Sequence, residues 1–102
     1  MYQLKLEPQF KKDYQRLKHH HPELIDELMN TLNQLHLNGI VNAEYRPHIL
    51  DNRGGNYNGS HEYHLSDGKV DVLVIDMPHK TNPSSRLIRV GSHNELFHST
   101  LK

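Results

Sequence analysis

The stretch SHEYHLSDGKVDVLVIDM, residues 60–77, sets Asp67-Gly68 between two runs that read as β-strands. Asp-Gly in that position is the strongest short-range signal for a two-residue hairpin turn. It predicts strands over Ser60–Ser66 and Lys69–Met77. The turn also dictates a register, with Ser66 opposite Lys69, Leu65 opposite Val70 and His64 opposite Asp71. Directly opposed side chains share a sheet face with Cβ atoms about 4.5–5.5 Å apart. The reading therefore sets an imidazole against a carboxylate. Such a pair is either a plain polar contact on a solvated face or a means of fixing a histidine's tautomer and favouring its charged form.

Working outward, the loop over residues 78–85 leads to a further strand, Arg86–Val90. Upstream, Asp51-Asn52-Arg53-Gly54-Gly55-Asn56 cannot continue a periodic element and reads as a loop. Before it, Pro22 opens a helix whose Leu24, Ile25, Leu28, Leu32 and Leu35 form an apolar stripe that stops at Asn38-Gly39. Pro8 opens an earlier helix over residues 8–19, with Phe10, Tyr14 and Leu17 at helical spacing. Tyr2, Leu4 and Leu6 alternate with polar residues, the period of a half-buried strand over residues 1–7. The order strand, helix, helix, strand, strand, strand predicts one α+β domain spanning residues 1–102. Two helices would pack on one side of a mostly antiparallel four-stranded sheet.

At 102 residues, the chain lies near the lower end of what buries a sufficient core without disulfides or metals. Cysteine is absent, which removes thiol nucleophiles and thiolate metal sites and fits a reducing compartment, with the cytoplasm as the default. No apolar run suits a membrane span, and the first residues lack signal-peptide order. Twelve basic and twelve acidic side chains balance, an argument against a strong duplex-DNA binder. Ten histidines stand out. Their reference pKa of about 6.5 suits proton transfer near neutrality, although any one of them alone is more simply a surface residue. His61 lies an odd number of residues from His64 and points to the opposite face of a regular strand. His19-His20-His21 falls between the helices, where solvation is the simpler account.

The second half of the chain resembles the RelE-like toxins of bacterial type II toxin–antitoxin systems, specifically the YafQ branch. Pro47-His48-Ile49-Leu50 is similar to a His-Pro-Leu segment ahead of the family's glycine loop. Tyr57-Asn58-Gly59 followed by His64 is similar to its Trp-Lys-Gly and downstream histidine. Asp71-Val72-Leu73-Val74-Ile75 resembles the acidic residue that opens the central apolar strand. Arg89-Val90-Gly91-Ser92-His93-Asn94-Glu95-Leu96-Phe97 resembles the closing Arg-Thr-Gly-Thr-His-x-x-Leu-Phe. Gln9-Phe10-Lys11-Lys12-Asp13 is similar to the start of the first helix, so the likeness spans nearly the whole chain.

The resemblance implies a ribosome-dependent mRNA endoribonuclease, held inactive by a cognate antitoxin and touching operator DNA only within that complex. It places catalytic groups at His48, His64, Asp71 and His93, with RNA contacts at Arg89 and Phe97. One departure is that the family's acidic residue follows its middle histidine by four positions, where this chain has Gly68. Asp71 is preferred because it opens the apolar strand and because the hairpin register independently sets it against His64. Asp67 remains the alternative, its simpler role being a turn residue. Arg89 also suits a strand-end surface cation, and Phe97 a core position.

Cleavage by internal attack needs a base for the 2′-hydroxyl, an acid for the leaving 5′-oxygen and positive charge near the phosphate. Histidines can serve all three needs. His48 and His64 form the expected proton-transfer pair, base and acid unassigned, with Asp71 orienting His64. His93 is expected to touch the phosphate or act as the acid. No nucleotide cofactor is expected, since no glycine-rich loop joins a strand to a helix in the required arrangement. A histidine-ligated hydrolase finds no HExxH spacing to support it. A toxin-like binding module without catalysis draws some weight from the neutral charge.

Overall fold

The computed structural model describes residues 2–49, 59–66, 69–78 and 83–98. Strand β1 (Gln3–Leu6) leads into α1 (Pro8–His20), and a 3₁₀ turn, Pro22–Leu24, leads into α2 (Ile25–Asn38). A second 3₁₀ turn, Ala43–Tyr45, precedes β2 (His48–Ile49), β3 (His61–His64), β4 (Leu73–Pro78), β5 (Ser84–Gly91) and a π-helical turn, α3 (Asn94–His98). The start of α1 and the end of α2 fall where local chemistry dictates. Pro8 occupies the first turn of α1, where its missing N–H leaves no bond unmade. Gly39 closes α2 with φ of 78° and its N–H on the Leu35 carbonyl, a left-handed cap that glycine adopts without strain. The ring of Tyr2 packs so closely over Gly39 that a Cβ there would lie 2.6 Å from it.

The sheet has five strands in the order β1-β5-β4-β3-β2. β1 runs parallel to β5 and the other neighbours are antiparallel. The α+β class and the mostly antiparallel sheet agree with the sequence reading; the expected four strands become five. The extra strand, β2, is two residues long and pairs His48 with Glu62 and Ile49 with His61. Nothing so short carries a periodic signal.

The two sheet faces differ. On one, Phe10, Leu17, Leu24, Leu28 and Leu35 from the helical half bury against Tyr63, Leu65, Val72, Val74, Leu87 and Val90. Full burial of such a side chain stabilises by about 1.5–3 kcal/mol, so the helical stripe read from sequence is the main anchor. On the other face a small cluster of Leu73, Ile75 and Leu96 is extended by Ile88 and Phe97. It leaves the β3 end of that face to polar residues.

The hairpin register differs from expectation. His64 pairs with Leu73, Tyr63 with Val74, Glu62 with Ile75 and His61 with Asp76. His64 therefore does not face Asp71. The strand starts at Leu73 rather than Lys69, because Ser66 turns the chain early. Ser66 takes φ of 54°, its carbonyl accepts the Lys69 N–H at 2.9 Å, and its Oγ accepts the Val70 N–H at 2.8 Å. A serine hydroxyl thus completes bonds that a two-residue turn would have left to the ladder. Asp67 and Gly68 themselves lie outside the described residues. The slip is two residues, an even number, so every side chain keeps its face.

Candidate active site

Beta-strand alternation puts Glu62 and His64 on the same face of β3, the face away from the helices. Cross-strand pairing brings His48 of β2 opposite Glu62. The Nε2 of His48 lies 3.1 Å from Glu62 Oε1, and the Nε2 of His64 lies 4.0 Å from the same oxygen. Glu62 is buried, its side chain only 6% exposed. A carboxylate removed from water needs such partners. The other ring nitrogen of His48, Nδ1, is 3.2 Å from the Arg46 carbonyl. Both ring nitrogens of His48 thus face oxygens.

On the far side of His64, the β4–β5 ladder does what the hairpin was expected to do. Leu73 pairs with Gly91, and continuing that register by two residues on each strand sets Asp71 against His93. The His93 backbone N–H donates to Asp71 Oδ2 at 3.1 Å, and His93 Nδ1 lies 2.6 Å from Asp71 Oδ1. An ionised carboxylate only accepts, so Nδ1 carries the hydrogen and Nε2 is left for a substrate. Asp71 orients His93, not His64.

The rings form a row. His48 and His64 stack with centroids 6.3 Å apart, His64 and His93 lie 5.9 Å apart, and His93 and Phe97 6.1 Å apart. His64, in the middle, is the most enclosed of the three histidines. Burial is the largest influence on it and lowers its pKa below the ordinary 6.5; Glu62 opposes this, while His93, His48 and Arg46 add to it. Its Nδ1 is buried and has no hydrogen-bond partner among the described residues.

The structure brings together His48, His64, Asp71, His93 and Phe97 of the expected set. Arg89 is a correction. It is 4% exposed, with Nε 2.6 Å from Asp13 Oδ2 and Nη2 3.1 Å from Oδ1. A guanidinium held by a buried carboxylate of α1 is not offered to a phosphate. Asp67 lies outside the described residues. Two residues that the sequence reading passed over complete the site. Glu62 stood two positions before His64, the spacing that shares a strand face. Arg46 is exposed and its charge acts on His64, but an isolated arginine ahead of a loop gives no sequence signal.

The sequence profile of a family described as "Bacterial toxin of type II toxin-antitoxin system, YafQ" matches residues 2–98. The chain belongs to the YafQ toxin family. No curated protein matches the sequence. Among solved structures, a mutant of YafQ from E. coli is similar over 95% of this chain and 99% of its own, at 21% identity and a TM-score of 0.77. YafQ in the E. coli DinJ-YafQ complex is similar over 95% and 99%, at 23% identity and a TM-score of 0.67. At those identities the likeness establishes the YafQ fold. A metal-bound toxin from Helicobacter pylori covers 95% of this chain and 100% of its own, at 25% identity and a TM-score of 0.70. No described helix is long and apolar enough to cross a membrane.

Proposed function

We propose that this YafQ-family toxin is an endoribonuclease that cuts mRNA on the ribosome in the cytoplasm. A cognate antitoxin would hold it inactive, and the pair would repress their own operon through the antitoxin's contact with operator DNA. The observation that carries the reading is the row of three imidazoles around buried Glu62, one of them held by Asp71. Membership of a toxin family and the E. coli DinJ-YafQ complex support the antitoxin partner.

In this reading His64 is the base. Its burial favours the neutral imidazole, the form able to take the 2′-hydroxyl proton. His93 serves as the acid in its doubly protonated form: Nδ1–H stays on Asp71 and the Nε2 proton passes to the leaving 5′-oxygen, leaving a neutral ring. The exposed Arg46 supplies positive charge where the phosphate gathers negative charge, and His48, beside Glu62, offers a ring N–H to the same phosphate. Phe97 offers a ring beside His93 on which a base can stack. Inducing the chain alone should arrest growth and leave cut mRNA, and co-expressing a cognate antitoxin should relieve both. Harmless expression with intact mRNA would favour a non-catalytic binding module.

A metal-bound state is a second reading with its own observation. One ligand atom from each of Glu62, His64 and His93 lies within 4.8 Å of the others, and a toxin from H. pylori is described as metal-bound. The donor set suits zinc or copper, and the Asp71–His93 bond has the form of a carboxylate behind a metal-bound histidine. Glu62 Oε1 and His64 Nε2 stand 4.0 Å apart, wider than the roughly 3.4 Å edge of a tetrahedral zinc site, so that pair would have to close in. A metal there would tie up the proton-transfer histidines. Zinc should then inhibit cleavage and a chelator restore it; loss of cleavage on chelation would reverse the two readings.

A further inference from the structure

Ser92 and Glu95 bracket His93 in a capping box. The Ser92 N–H donates to Glu95 Oε1 at 2.9 Å, and the Glu95 N–H donates to Ser92 Oγ at 3.1 Å. The first helical bond follows, Leu96 N–H to the Ser92 carbonyl at 3.0 Å. Such reciprocal bonds fix the angle at which a chain enters a helix. Here they fix the backbone that carries His93. The box is tied to α1, since Arg16 Nε lies 3.0 Å from Glu95 Oε2. Arg16 Nη2 is in turn 3.0 Å from Asp13 Oδ1, the same buried carboxylate that holds Arg89 and accepts the Val90 N–H at 3.1 Å. Gly91 leaves the room this requires, because a Cβ there would meet Glu95 Oε1 at 2.8 Å. Beneath the network, Arg16, His20, Asp71, Ser92 and Glu95 line a cavity of about 300 Å³. The His93 backbone is thus braced by bonds rather than by close packing on that side.

We propose that Glu95 and Arg16 are positioning residues for His93, clamping residues 91–95 to α1 so that the imidazole meets Asp71 in one orientation. The clamp rests on the proposed role of His93 in RNA cleavage. It differs from a stabilising surface ion pair in its consequence. Arg16 and Glu95 are each 39% exposed at their side chains, and pairs so placed add little to global stability. A misplacement of an ångström at a reacting group, by contrast, can cost about a hundredfold in rate.

The test compares Glu95→Ala, Glu95→Gln and Arg16→Ala with the wild-type chain in single-turnover cleavage of ribosome-bound mRNA, in mRNA affinity, and in ¹⁵N spectra of the His93 ring. The alanine variants should cleave roughly tenfold more slowly, with affinity within about twofold and an unchanged melting temperature. Glu95→Gln keeps the oxygen that receives the Ser92 N–H but turns an amide N–H toward Arg16 in place of the oxygen that holds it. It therefore keeps the capping box, loses the tie to α1 and should slow cleavage as Arg16→Ala does. A wild-type rate for Glu95→Gln would show that the tie to α1 does not position His93. The wild-type His93 ring should show one Nδ1-protonated tautomer, and Glu95→Ala a mixture. Wild-type rate with an unchanged ring spectrum, or loss of affinity alone, would overturn the proposal. If the wild-type chain itself does not cleave RNA, the nuclease reading fails, and the ring spectra still decide whether Glu95 positions His93.

Discussion

His64 is the most enclosed of the three histidines and its Nδ1 has no partner among the described residues, so its titration is the sharpest consequence at the scale of one residue. Its pKa is lowered, so the folded chain releases that proton more readily than the unfolded chain does. Stability from this group is therefore fully present above about 6.5 and diminishes as pH falls below it. If His64 is the base, the acid limb of the cleavage rate should have its midpoint below 6.5 in a single-turnover pH series. A midpoint above 6.5 would assign the base elsewhere. Asp71→Asn should slow cleavage about 10–10²-fold by disturbing the tautomer of His93, and Asp67→Asn should do less; the reverse order would restore Asp67 as the acidic partner. Asp71 was legible in the sequence as an important carboxylate, but its partner was not. The hairpin assigned it to His64, whereas the β4–β5 register gives it to His93, and that register depends on a strand pairing no local spacing reveals. Glu62 was hidden differently: it looks like one more polar residue on a strand until β2 lays His48 across from it.

Elements were easier to read than registers. Pro8 and Gly39 mark helix ends by backbone chemistry alone, whereas Pro22, expected to open the second helix, opens a 3₁₀ turn and α2 begins at Ile25. The apolar stripes of α1 and α2 name the face that reaches the core. The turn after β3 misled because Asp67-Gly68 advertises a two-residue loop while Ser66, at φ of 54°, has already turned the chain. Arg89 misled because an arginine at a strand end looks solvated in sequence, and its partner, Asp13, lies 76 positions away on α1. That pair makes an element-scale prediction. Asp13 also holds the Val90 N–H and Arg16, so Asp13→Ala takes the carboxylate from a buried guanidinium and should cost about 3–5 kcal/mol in urea unfolding. Arg89→Met combined with Asp13→Leu should cost less than Asp13→Ala alone, since it removes both charges together. A loss under about 1 kcal/mol for Asp13→Ala would mean that the pair does not hold α1 to β5.

At the scale of the whole molecule, the sheet separates stability from chemistry. Helices cover one face, and the other carries a row of imidazoles at its β2–β3 end and a small apolar cluster under α3. The imidazole row carries Arg46 at one end and the carboxylates of Glu62 and Asp71 among its rings, while the acidic side chains Asp13 and Asp76 are buried. The α+β class was legible because helical and strand periods differ. The five-strand count was not, because β2 spans two residues. The central claim is that this face cuts mRNA by histidine proton transfer, and one measurement bears on it most directly. Purified wild-type, His64→Ala and His93→Ala chains are added to ribosomes stalled on a defined mRNA, without added metal, and cut ends are mapped over time. The account predicts cuts by the wild-type chain, with rates reduced about 10²–10⁴-fold in each variant and ribosome binding retained. No cuts by the folded wild-type chain, or equal rates in all three, would contradict it.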